Sequence, residues 1–121
     1  MRVGHGYDAH RFCEGKEMVL GATKIDCDYG FLAHSDGDVL LHAVSDALFG
    51  AAGFTIDYVD VTVIAQYPKL SPHIEEMRKN TAAAIGVDVS RLNIKATTEE
   101  NMGFTGRKEG VRVHAVCILG E

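Results

Sequence analysis

The sequence predicts an α/β domain in which one mixed β-sheet carries its helices on one face. Three observations point there. Segments rich in branched residues and alternating with period two, at 59–64, 92–97 and 111–119, are interleaved with two segments of helical periodicity, one over about 37–52 and one opening at Ser71. The 121 residues make room for a single domain spanning 1–121, with a core small enough that oligomerisation is expected. No repeat, low-complexity stretch or linker divides the chain.

Taken in order, residues 2–10 read as a strand whose glycines let its backbone approach a neighbour or ligand closely. Residues 18–26 form a short paired extended segment before a turn at Asp28-Tyr29-Gly30. The first helix opens at Ser35 and Asp36, both capping types, with Gly37 easing the turn and Asp38 in the first turn. Val39, Leu40, Ala43, Val44, Ala47 and Leu48 give it a broad buried face. The strand 59–64 then delivers the loop Ala65-Gln66-Tyr67-Pro68-Lys69.

Ser71-Pro72 opens the second helix with a capping hydroxyl and an N1 proline, and Gly86 stops it. Its less polar side, Ile74, Met77, Thr81, Ala84 and Ile85, reads as core. The strand 92–97 sets Leu92, Ile94 and Ala96 against Asn93, Lys95 and Thr97, and runs into Thr98-Glu99-Glu100 and Gly103-Phe104-Thr105-Gly106-Arg107. The last strand is apolar on one side throughout and on the other from Val116. His5, Arg112 and His114 are polar strand residues, either satisfied locally or lining a subunit contact on the uncovered face.

Composition narrows the function. A net charge of -5 argues against a nucleic-acid surface, and a phosphorylated small molecule would need metal ions or a few local cations to offset its charge. Cys13, Cys27 and Cys117 form no Cys-x-x-Cys pair and leave an odd count, which fits a reducing compartment. With neither a targeting segment nor an apolar run of membrane-spanning length, a cytoplasmic protein without a membrane partner is expected.

The chemistry concentrates in two places. On the first helix Asp38, His42 and Asp46 follow one another at four-residue intervals, and taken alone they read equally as a solvated polar stripe. Near the amino terminus Asp8 and His10, two apart on an extended chain, point to the same side. Joined by His42 they make two imidazoles and one carboxylate, the donors of a zinc site with an open fourth position.

Five phrases then coincide in order: Gly4-His5-Gly6-Tyr7-Asp8-Ala9-His10, Leu32-Ala33-His34-Ser35-Asp36-Gly37-Asp38, Ile64-Ala65-Gln66-Tyr67-Pro68-Lys69, Lys95-Ala96-Thr97-Thr98 and Gly103-Phe104-Thr105-Gly106-Arg107. Together they closely resemble the 2-C-methyl-D-erythritol 2,4-cyclodiphosphate synthases of non-mevalonate isoprenoid biosynthesis, over nearly the whole chain. The resemblance implies a homotrimer with active sites between subunits. It implies a phosphorus-oxygen lyase that converts 4-diphosphocytidyl-2-C-methyl-D-erythritol 2-phosphate into the cyclic diphosphate and CMP. By the match, Asp8, His10 and His42 hold zinc or another divalent transition metal, while Glu100 holds Mg2+ or Mn2+ bridging the diphosphate. His34 and Thr98 match the residues that stabilise the transition state. Substrate contacts would come from Asp8, Ala9, His10, His34 and Ser35, and from walls lent by the neighbouring subunit: Ala65, Gln66, Tyr67, Pro68, Lys69, Leu70, Ser71, Thr97, Thr98, Glu99 and Glu100, with Phe104 and Arg107 beyond. Asp46 reads as support for His42.

The match has one gap. Between Gly53 and Phe54 the sequence lacks a segment of roughly 35 residues that the family carries, with the loop over the methylerythritol part of the substrate and a helix. The expectation is that a longer chain carries this stretch. Were it a true deletion, the metal site would persist while turnover suffered, leaving a catalytically impaired ligand-binding trimer. A third alternative is a zinc-dependent phosphoanhydride hydrolase, with water in place of the internal phosphate as nucleophile.

Overall fold

A computed structural model describes all residues 1–121. The first strand, β1 (Arg2–Glu14), is longer than its sequence pattern indicated, because its ten-pair antiparallel ladder with the last strand, β7 (Gly110–Gly120), runs to Arg11 and residues 12–14 then pair with 29–31. The 18–26 segment forms a two-strand hairpin, β2 (Met18–Val19) and β3 (Lys24–Ile25). The expected turn at Asp28-Tyr29-Gly30 is instead the start of a short strand, β4 (Tyr29–Phe31), which pairs with Phe12–Glu14. Gly30 permits this, since a Cβ there would lie 2.7 Å from the Lys16 carbonyl oxygen.

The first helix, α1 (Val39–Ala47), is shorter than expected at both ends. Asp38 caps it rather than lying in its first turn, and after Ala47 the chain turns through residues 48–54 into β5 (Thr55–Ile64). Gly50 and Gly53, both with left-handed φ, sit in that connection. The second helix is preceded by a 3-10 turn, Ser71–His73, in which Ser71 makes no side-chain cap. It continues as α2 (Ile74–Ile85), ended by Gly86 at φ 74°. Its buried positions are Met77, Thr81 and Ala82; the expected Ala84 is exposed, one residue off the true stripe. Strand β6 (Leu92–Thr97) follows, and Gly103–Gly106 forms a single helical turn, α3.

Five strands make one mixed sheet in the order β4-β1-β7-β5-β6, with only β5 and β6 parallel. The expected architecture is therefore the observed one. Val59, Val61 and Val63 of β5, Leu92 and Ile94 of β6, and alternate residues of β7 from Val111 to Leu119 turn to one face, where α1, α2 and the hairpin bury them. The approach of α1 to β1 is possible only because Gly4 and Gly6 lack side chains. A Cβ on Gly6 would lie 1.9 Å from the Ala43 carbonyl oxygen, and one on Gly4 2.1 Å from that of Ala47. The opposite face has no second layer, and Val3, Tyr7, Tyr58, Val116 and Ile118 are exposed there.

Candidate functional site

Asp8 and His10 lie on the helix side of β1, and α1 sets His42 against them. The ligand atoms of the three all fall within 4.8 Å of one another. The Nδ1 atoms of His10 and His42 are each 3.1 Å from the same Asp8 oxygen, Oδ2, and the rings stand 5.2 Å apart. His10 Nδ1 is buried, yet no hydrogen bond forms there despite the short distance to Asp8. A buried ring nitrogen without a hydrogen-bond partner is costly, and a divalent cation between the rings and the carboxylate would relieve it. The residues thus fit the expected metal.

The two acids spaced four residues either side of His42 have different tasks. Asp38 does not face His42. It is buried, accepts from the amides of Leu41, Gly21 and Ala22 at 3.1, 2.9 and 2.7 Å, and so ties the helix start to the hairpin. Burial pushes its carboxyl above the usual carboxylate range, against the pull of those three amides. Asp46 accepts from the Tyr7 amide at 3.4 Å, next to Asp8, so it braces β1 instead of contacting His42.

His34 and Ser35 are exposed on the loop that leads into α1. Lys16, which sequence reasoning passed over, donates to the carbonyls of Ala33 and Ser35 and so holds the loop on both sides of His34. Only a tertiary contact selects Lys16, and no local spacing announces it.

A second concavity of about 370 Å³ opens past the ends of β5 and β6. It is lined by Ala65, Gln66, Pro68, Lys69, Leu70 and Ser71 on one side and Ala96, Thr97 and Thr98 on the other. These coincide with the expected substrate walls, with three exceptions. The Tyr67 ring turns away to Tyr29 and its hydroxyl to Asp28. Glu99 gives both carboxylate oxygens to Thr105 and Arg112. Glu100 stays exposed beside the cleft, its amide 3.4 Å from Thr98 Oγ1. Arg112 is accordingly engaged within the chain, its guanidinium 5.5 Å from the Phe104 ring, instead of standing free for a neighbour. His5 Nε2 and His114 Nδ1 share a hydrogen bond of 3.1 Å on the uncovered face. Phe104, Ala9, His10, Arg11 and Glu109 line a smaller recess of about 170 Å³, and Arg107 is ion-paired to Glu109.

The two halves are in register but apart. Asp8 pairs with Val113, Val113 with Val63 and Val63 with Ala96, so the metal ligands and the cleft floor occupy one row across the sheet, on its helix side. Two strand spacings separate β1 from the β5 edge of the cleft, and three, about 14 Å, from its β6 edge.

Residues 1–55 and 51–120 match the YgbB family. The 2-C-methyl-D-erythritol 2,4-cyclodiphosphate synthase of Pseudomonas entomophila is 47% identical over 154 aligned positions, which cover 98% of each chain. Among solved structures, the corresponding synthase of Plasmodium vivax superposes with a TM-score of 0.89 at 32% identity, over 98% of this chain and 96% of that one. The Plasmodium falciparum IspF complex with CDP does so with 0.88 at 30%, over 98% and 94%. The family match divides at residues 51–55, where α1 passes into β5, and the 154 aligned positions exceed the 121 residues of this chain.

Proposed function

The chain belongs to the YgbB family, and we propose that it carries out the reaction of the 2-C-methyl-D-erythritol 2,4-cyclodiphosphate synthases. In that reaction an oxygen of the substrate's 2-phosphate bonds to the β-phosphorus. The bond from that phosphorus to the oxygen bridging to the α-phosphate breaks, and its electron pair leaves with CMP. The observation that carries the reading is the convergence of Asp8, His10 and His42 in the same row as the cleft at 65–71 and 96–98.

Two anionic phosphates have to meet, so charge and orientation dominate the barrier. A zinc ion held by Asp8, His10 and His42 would supply Lewis acidity to the β-phosphate, and a second, hard cation at Glu100 would neutralise the diphosphate. The chain's own part is to aim donors. His34 and Thr98 offer an imidazole and a hydroxyl to the developing phosphate charge, and Ser35 adds a second hydroxyl on the Lys16-held loop. Lys69 and the polar edge of Thr97 suit a nucleotide in the cleft.

The gap of two to three strand spacings between the halves supports a site shared by two subunits, the cleft of one lying against the metal ligands of its neighbour, as a homotrimer would arrange. The uncovered sheet face with Val3, Tyr7, Val116 and Ile118 is the surface such an assembly would bury. No helix of the chain is long and apolar enough to cross a membrane, and a cytoplasmic location accords with the three free thiols.

Incubation with the cytidine substrate, followed by phosphorus NMR, tests the activity. A cyclic diphosphate and CMP are expected; a linear phosphate product would identify a hydrolase. The short 48–54 connection favours one second reading, an impaired trimer that still binds ligand. Intact mass separates the cases, since a value near 13.1 kDa fixes the short chain and one several kilodaltons higher restores the family segment.

A further inference from the structure

We propose that Glu99 is a positioning residue: its carboxylate, clamped between Thr105 and Arg112, sets the turn that presents Thr98 and Glu100. The inference rests on the functional reading above for what Thr98 and Glu100 do, and on geometry alone for how they are held.

The turn is strained. Glu100 and Asn101 are consecutive non-glycine residues with left-handed φ, 55° and 64°. Such residues persist only where their surroundings over-determine them. Two groups do so here. From the cleft side, Gln66 Oε1 accepts the Asn101 amide at 3.1 Å. From the β7 side, Glu99 Oε1 accepts from the buried Thr105 hydroxyl at 2.5 Å, and Oε2 accepts from Arg112. The Met102 amide returns to the Glu99 carbonyl at 3.0 Å and closes the loop.

The neighbouring residues serve the same end. Gly106 leaves room for the turn, since a Cβ there would lie 2.2 Å from the Asn101 carbonyl carbon. Arg112 is itself fixed beneath Phe104, and its partly buried guanidinium has its Nε unpartnered, so Glu99 is the acid that answers its charge. Removing one member of a partly buried charge pair strands the other, which makes the clamp a unit. Glu99 touches neither the cleft nor the metal ligands, and acts through the backbone of the residues on either side of it.

Glu99→Gln keeps the size and the acceptor for Thr105 but turns an amide on Arg112. Two readouts test the proposal on the full chain. In hydrogen exchange followed by mass spectrometry, the peptide spanning 98–106 should exchange about tenfold faster in the variant, with the peptides of β1 and α1 unchanged. In turnover assays the Mn2+ concentration for half-maximal rate should rise about tenfold, while zinc content and KM at saturating Mn2+ stay within about twofold of wild type. Arg112→Gln should reproduce both effects, and the double variant should add little to either single one.

Unchanged exchange in 98–106, or effects of the two substitutions that multiply, would overturn the clamp. A wild-type chain without turnover would count against the functional reading alone, because the exchange experiment decides the clamp without it.

Discussion

The proposed metal ligands and the proposed nucleotide cleft are built by different means. Asp8 and His10 ride on a strand bonded to β7 through ten pairs and pressed against α1 with no side chain between backbones at Gly4 and Gly6. The cleft lies at the sheet's edge, past a six-residue parallel pairing of β5 with β6, and its loops are tied by side-chain hydrogen bonds such as Gln66 to Asn101. The first arrangement fixes the three ligands relative to one another through backbone contact, before anything binds. The second depends on bonds each worth about 1 kcal/mol, so single substitutions can alter the cleft while leaving the fold intact.

The sharpest way to test this contrast is to remove a ligand from the rigid half. His42→Ala should abolish bound zinc and lower turnover by more than about 100-fold, with a melting temperature of the metal-free protein close to that of wild type stripped of metal. His42 is exposed and packs nothing essential, so stoichiometric zinc with full activity in the variant would refute its assignment. Gly6→Ala attacks the scaffold instead. The new methyl collides with the Ala43 carbonyl and must push α1 off β1, at about 3 kcal/mol, measurable by denaturant unfolding. It should also weaken zinc binding, because the helix that moves carries His42. Loss of stability with unchanged zinc affinity would show that the ligands do not depend on the close packing.

The flexible half should respond more gently. Lys69 is exposed on the wall of the cleft and makes no contact that the fold needs. Lys69→Ala is expected to raise KM for the cytidine substrate about tenfold and leave zinc content and melting temperature as they were. A fall in kcat at unchanged KM would place Lys69 at the reacting phosphates instead of at the nucleotide.

The same contrast governs what the sequence made legible. Period-two alternation exposed β5, β6 and β7 because each has one face in the core, and the Asp8-x-His10 spacing placed two ligands on one side of a strand. Long-range pairing hid the rest. Tyr29-Gly30-Phe31 looks like a turn until Phe12–Glu14 offers it a ladder. Asp38 and Asp46 have the spacing of partners to His42, yet Asp38 is claimed by amides 16 and 17 residues away and Asp46 by the Tyr7 amide. Glu99 sits inside a motif read as substrate wall, and only the position of Arg112 on β7 shows where its carboxylate goes.

The smallest effect concerns Asp38, which joins the rigid half to the hairpin and is the one acid whose carboxyl burial raises. A carboxyl raised on folding is favoured in its protonated form by the native state. Its contribution to stability is therefore fully present below the ordinary value of 3.8 and is lost as the pH rises through the raised one. Asparagine does not titrate. It keeps an acceptor for Leu41 and Gly21 but turns an amide toward Ala22, so Asp38→Asn should cost about 1 kcal/mol near neutral pH. Melting curves at a series of pH values should then show the gap between wild type and variant narrowing as the pH rises from below 3.8 toward neutrality. A gap that widens over that range would mean that the three backbone amides outweigh burial, and that α1 is held to the hairpin by a carboxylate the fold prefers ionised.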